Sequence, residues 1–103
     1  MSIFLTVIVK AKPSHRQEIQ TLLYRLPELS KKEDACIEYD VHQSIDDENT
    51  FILNEQWKSL EGLEFHNLQA YSKEFSTHLI NYRSTPSFIN QNNLLEHLQT
   101  FRI

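Results

Sequence analysis

Residues 3–9, Ile-Phe-Leu-Thr-Val-Ile-Val, are apolar on both parities. In an extended strand Ile3, Leu5, Val7 and Val9 share one face, and Phe4 and Ile8 share the other. A strand with one wet face alternates apolar and polar residues, so this one is expected to be covered on both sides. The chain has 103 residues, 40% of them hydrophobic, which suits one domain with a thin core. Helices in so small a domain cover one face of a sheet. The other face needs a further cover, and a second copy of the protein is the simplest one.

The rest of the chain supplies the partners of that strand. Lys12-Pro13-Ser14 is a turn into a helix, with Ser14 as its expected cap and Gln17 at the capping-box position. Ile19, Leu22, Leu23 and Leu26 recur at helical spacing. Pro27 lacks the amide hydrogen that a continuing helix uses, so a break or kink is expected there, with one more turn through Lys31. Residues 36–43 and 50–57 read as two strands joined by the polar stretch Ile45-Asp-Asp-Glu-Asn49, an antiparallel hairpin. Ile37, Tyr39 and Val41 share one face of the first; Phe51, Leu53, Glu55 and Trp57 share one face of the second.

Ser59 is the expected cap of a helix that brings Leu60, Leu63 and Phe65 towards the sheet. Asn67 to Ala70 interrupt it, and a further helix runs from Tyr71 to about Tyr82 with Phe75 and Leu79 inward. Pro86 limits the next extended stretch, with Phe88 and Ile89, to a strand start or an edge. The tail carries Leu94, Leu95, Leu98 and Phe101 at helical spacing. The order strand, helix, strand, strand, helix, strand, with right-handed crossovers, predicts an α+β ferredoxin-like sandwich with an antiparallel sheet. Two such sheets packed face to face form a dimeric α/β barrel. Residues 1–103 read as a single domain, with 91–103 as a C-terminal extension.

Ten Lys/Arg against fourteen Asp/Glu give a formal charge of -4, with no basic cluster longer than Lys31-Lys32. That balance argues against nucleic acid and against an anionic membrane surface as partners. No apolar run is long enough to span a membrane, and no basic region precedes the first apolar run, so neither an anchor nor a signal peptide is expected. A cytoplasmic protein is the default. The lone cysteine, Cys36, excludes an internal disulfide and any multi-cysteine metal site. The lone glycine, Gly62, excludes a glycine-rich phosphate loop. The five histidines are scattered, with no metal-binding pair on one helical face.

Four residues stand out as candidates. Trp57 reads either as a core residue at a strand end or as the aromatic wall of a cavity between sheet and helices. Glu55 shares its face, and a carboxylate in a small core must be paired, hydrated or set in a cavity. His66, in the helix that follows, is either a half-exposed helix residue or a group at the cavity mouth that moves a proton near neutral pH. Tyr71, beyond the helix break, either donates a hydrogen bond to an aromatic hydroxyl or covers apolar surface.

These residues sit in a recognisable pattern: Tyr39-Asp-Val-His42, Asp46-Asp47-Glu48-Asn49, Phe51, Glu55-Gln56-Trp57, Ser59-Leu60-Glu61, Leu63-Glu64, His66 and Phe75, preceded by Val7-Ile-Val-Lys-Ala-Lys-Pro13. Over about residues 3–90 the chain resembles the antibiotic biosynthesis monooxygenase family, especially its small quinol monooxygenase members. The resemblance implies a homodimer through sheet faces and oxidation of a quinol or phenol by molecular oxygen with no metal, flavin or haem. Trp57 falls on the family's cavity tryptophan, and His66 on the helix histidine of the quinol-oxidising branch. An asparagine of one branch falls on Leu53, a cavity tyrosine on Leu63, and a later histidine on Tyr71. In the haem-degrading branch the iron-binding histidine falls near Ser76, which argues against haem.

The expected activity is therefore cofactor-independent monooxygenation of a hydroquinone or phenolic molecule. His66 takes or relays the phenolic proton, Trp57 packs on the ring, Tyr71 orients an oxygen, and Glu55 tunes His66. Two alternatives stay open: an isomerase or processing enzyme for a small carbonyl compound, and a non-catalytic dimer that binds a small molecule.

Overall fold

The computed structural model describes residues 2–93. Strand β1 spans Ile3–Lys10; a 3-10 turn, Pro13–His15, leads into helix α1, Arg16–Ser30. Strands β2, Cys36–Gln43, and β3, Thr50–Trp57, form the hairpin. Helices α2, Leu60–Asn67, and α3, Ala70–Tyr82, precede strand β4, Phe88–Asn93. The four strands make one antiparallel sheet in the order β2-β3-β1-β4. This is the ferredoxin-like α+β arrangement. The pattern of Leu94, Leu95, Leu98 and Phe101 lies outside the described residues, and β4 itself runs to Asn93, past the expected boundary at 91. Among the described residues no helix is long and apolar enough to cross a membrane.

Register assigns the faces. Ile3, Leu5, Val7 and Val9 of β1 lie opposite Trp57, Glu55, Leu53 and Phe51 of β3. With Ile19, Leu23 and Leu26 of α1, Leu63 of α2 and Leu79 of α3, the buried members of this face form the core. Burying such side chains contributes on the order of 2 kcal/mol each. The opposite face of the sheet carries the pairs Phe4–Gln56, Thr6–Asn54 and Ile8–Ile52. Both faces of β1 therefore present apolar side chains, and the helices cover one.

Four local expectations are corrected. Ser14 does not cap α1: Pro13 starts a 3-10 turn closed by the His15 amide on the Lys12 carbonyl, so Ser14 lies inside the turn and its hydroxyl meets His15 Nδ1 at 3.0 Å. Pro27 does not break α1, which continues to Ser30. One missing N–H removes one hydrogen bond, while Leu26 and Ser30 on either side remain buried. Ile37 does not join Tyr39 and Val41, because the register shifts between Cys36 and Glu38; this bulge places Cys36 opposite Trp57 and leaves Ile37 exposed. Leu60 and Phe65 face outwards, and the inward stripe of α2 is Leu63 and His66.

Candidate functional site

Three pieces of backbone converge on the Trp57 end of β3. Ser59 caps α2 by accepting the Gly62 amide at 3.0 Å, as the sequence predicts. Gly62 also lets α2 lie against the 31–35 loop: a Cβ there would clash with Ala35 Cβ. The loop is tied to the residue after β3 by the Lys58 amide on the Ala35 carbonyl, 2.8 Å, and to β2 by the Cys36 amide on the Glu33 carbonyl, 3.1 Å. This seating brings Glu33, from the loop, up to His66, from α2. The break after Asn67 then turns the chain so that Tyr71 and Ser72 of α3 return to the same histidine.

His66 is buried and polar, with defined neighbours at both ring nitrogens. Glu33 Oε2 lies 2.7 Å from Nδ1, and Ser72 Oγ lies 3.4 Å from Nε2. The Tyr71 hydroxyl donates to the same Glu33 oxygen and sits 3.2 Å from His66 Nδ1 and 3.3 Å from Ser30 Oγ. Burial, reinforced by Glu33, pushes the Tyr71 phenol well above its ordinary value, so Tyr71 is a fixed donor. Trp57 is fully buried, with its ring centroid 4.4 Å from that of His66 and its Nε1–H donated to Glu55 Oε1 at 3.0 Å. Tyr39 meets Trp57 edge-on, with centroids 6.4 Å apart. Burial outweighs the opposing hydrogen bonds from Trp57 and Tyr39, and the Glu55 carboxyl is pushed up to about 7. Burial and then Glu55 push the Tyr39 phenol up.

Between this cluster and the sheet lies a cavity of about 130 Å3. Leu5, Val7, Leu53 and Ile89 form its sheet wall; Leu26, Asn67, Phe75 and Ser76 form its helix wall; Tyr39, Glu55, His66 and Ser72 supply its polar groups. The space suits a small, mostly apolar molecule with one or two polar substituents. Among the described residues no group of three His, Cys, Asp or Glu side chains is placed to hold a metal ion.

The four residues singled out in the sequence thus fall in one cluster, with different placements. His66 and Glu55 line the cavity; Trp57 and Tyr71 do not. Trp57 stands behind His66 and Glu55 instead of forming the wall, and Tyr71 points to Glu33. The direct bond of Glu55 goes to Trp57, and the carboxylate at His66 is Glu33. Glu33, Ser72, Ser30 and Tyr39 were missed. Tyr39 was discoverable, because the hairpin register sets it opposite Glu55. Nothing in a polar loop distinguishes Glu33 from Asp34.

Comparison with known proteins agrees with this architecture. The family model described as antibiotic biosynthesis monooxygenase matches residues 2–77. A Bacillus subtilis (strain 168) relative named "Putative monooxygenase YcnE" is 33% identical over 73 residues, which cover 71% of this chain and 77% of the relative. The crystal structure of PA3566 from Pseudomonas aeruginosa superposes with a TM-score of 0.86 at 28% identity, covering 91% of this chain and 94% of that one. Rv0793 from Mycobacterium tuberculosis shares the fold, with a TM-score of 0.88 at 19% identity over 92% of this chain and 96% of the other. With three-quarters of its length matched by the family model and its inward-facing residues arranged around a sheet–helix cavity, the chain belongs to the antibiotic biosynthesis monooxygenase family.

Proposed function

We propose that the protein is a cofactor-independent monooxygenase that oxidises a small hydroquinone or phenol with molecular oxygen. The observation that carries this reading is the setting of His66: a buried imidazole with a carboxylate on Nδ1, beside an apolar cavity of aromatic-ring size. A phenol is a poor reductant of oxygen until it loses its proton. His66 accepts that proton, and the apolar walls hold the resulting aryloxide out of water. Carbon of the electron-rich ring then bonds to oxygen, and the O–O bond breaks with loss of water. For a hydroquinone the products are a hydroxyquinone and one water, so atoms and electrons balance with no second reductant. Trp57 and Tyr71 act as positioning residues: one packs on the imidazole and the other holds Glu33. Glu55 presents a carboxyl near its titration midpoint at pH 7 to the same cavity.

In this reading the protein works as a homodimer, with Phe4, Ile8 and Ile52 of the open sheet face packed on a second copy to close a barrel. The test is oxygen uptake by metal-stripped protein over a panel of hydroquinones and polyhydroxylated aromatics, with a no-protein control. Sedimentation equilibrium of the same preparation should report a dimer. Saturable uptake is expected, and His66→Ala should lower kcat by about 10²-fold or more while leaving the sedimenting mass unchanged. Uptake equal to the control sinks the oxidation reading. Product formed without oxygen uptake favours the processing of a carbonyl compound.

A further inference from the structure

The surroundings of His66 specify which of its nitrogens is free, and this deepens the functional reading above, on which it rests. A carboxylate only accepts hydrogen bonds, so with Glu33 Oε2 at 2.7 Å the proton of the neutral ring belongs on Nδ1. The Tyr71 hydroxyl also donates to that oxygen, so Nδ1–H and the phenol converge on one acceptor. Nε2 is then the basic nitrogen. Its hydrogen-bonding neighbour is Ser72 Oγ at 3.4 Å, and Ser72 is a buried residue of the cavity lining. In a continuous helix His66 and Ser72, six residues apart, would be rotated by about 240° from each other. The break between α2 and α3 removes that separation and sets the hydroxyl on the imidazole.

We propose that Ser72 is the catalytic residue that receives the substrate's hydroxyl proton, passing its own to Nε2 of His66, and that Glu33 is the positioning residue that keeps Nε2 bare. The step is a double proton shift. The aryl O–H bond breaks as Ser72 Oγ gains that proton, and the Ser72 O–H bond breaks as Nε2 gains the other. Serine is neutral before and after, the aryloxide remains in the cavity, and the imidazolium is paired with Glu33. No electrons move. When the oxidised ring sheds water, the imidazolium returns a proton by the same path.

Two measurements that need no turnover test this on the whole 103-residue chain. Long-range ¹H–¹⁵N correlation spectra of the His66 ring should show Nδ1 protonated and Nε2 bare in the wild type and in Ser72→Ala. Glu33→Gln should keep that state through its amide oxygen, and Glu33→Leu should lose it. A protonated Nε2 in the neutral wild-type ring overturns the proposal.

The second measurement uses 4-nitrophenol, whose ionised form absorbs at longer wavelength, added below its own titration midpoint. Wild type and Ser72→Thr should show the ionised band of bound probe; Ser72→Ala and His66→Ala should lose it. A wild-type band in folded Ser72→Ala, or no ionised band in the wild type, overturns the relay. Oxygen uptake is scored separately. An ionised probe with no oxidation of any quinol rejects the oxidase reading and keeps the relay.

Discussion

The two ends of the buried sheet face are built from opposite materials. At the Val9–Phe51 end the core is wholly apolar, with Ile19 and Leu23 of α1 packed on the strands. At the Ile3–Trp57 end the same face carries Glu55, with His66, Ser30 and Ser72 buried around it. Burial is equal, but the energetics are not. Apolar packing stabilises in proportion to area, whereas each buried polar group must recover its lost hydration through hydrogen bonds. A domain shaped by stability alone would place leucines at both ends. The contrast teaches that the polar end costs stability, and that the apolar end, with the sheet, holds the fold against that cost.

The widest separation of the two ends comes from Leu23→Ala. Truncating a fully buried leucine should cost about 2–5 kcal/mol of stability, read as a lower urea midpoint. The His66 ring spectrum of the folded protein should stay unchanged. An altered ring spectrum would mean that the two ends are one cooperative unit and the contrast is false.

Glu55 sharpens the comparison through pH. Its carboxyl titrates at about 7 in the fold, against an ordinary 4.5. The folded state therefore holds its proton more tightly than the unfolded state. Stability should fall as pH rises from about 4.5 through 7, by on the order of 3 kcal/mol from this group. Glu55→Gln keeps an oxygen for Trp57 Nε1–H and cannot titrate. Urea unfolding at pH 5 and pH 8 should show the wild type losing more stability across the interval than the variant. Equal losses would show that Glu55 is not desolvated as the burial implies.

The smallest effect concerns the hinge of the polar end. Gly62→Ala sets a methyl group against Ala35, and the overpacking should cost about 1–3 kcal/mol. Because Gly62 seats α2 on the loop that carries Glu33, the His66 Nδ1–H resonance should shift as well. A stable variant with an unshifted resonance would mean that the loop yields freely and does not set the His66–Glu33 distance.

Much of this was legible in the chain. The double-faced apolar strand at 3–9, the hairpin and the break at 67–70 all carry short-range signals, because strand and helix periods write themselves into neighbouring residues. His66, Glu55, Trp57 and Tyr71 were visible as candidates because a tryptophan, an inward carboxylate, a helix histidine and a tyrosine are each conspicuous in so small a core. The misreadings were of local detail. Ser14 looked like a cap, but Pro13 began its turn one residue earlier, and Ile37 followed the strand parity until a bulge displaced it.

The amino-acid sequence by itself determined the element order, the faces of the central strands and the apolar character of both faces of β1. These depend on periodicity and on the balance of apolar to polar side chains, both local properties. Only the tertiary structure decided that Glu33, thirty-three residues from His66, closes on its Nδ1, that Ser72 faces its Nε2, and that Trp57 stands behind the cavity instead of lining it. Such contacts are set by loop closure, helix seating and register across the sheet. Those depend on where distant backbone segments come to rest, and no spacing between residues along the chain encodes them.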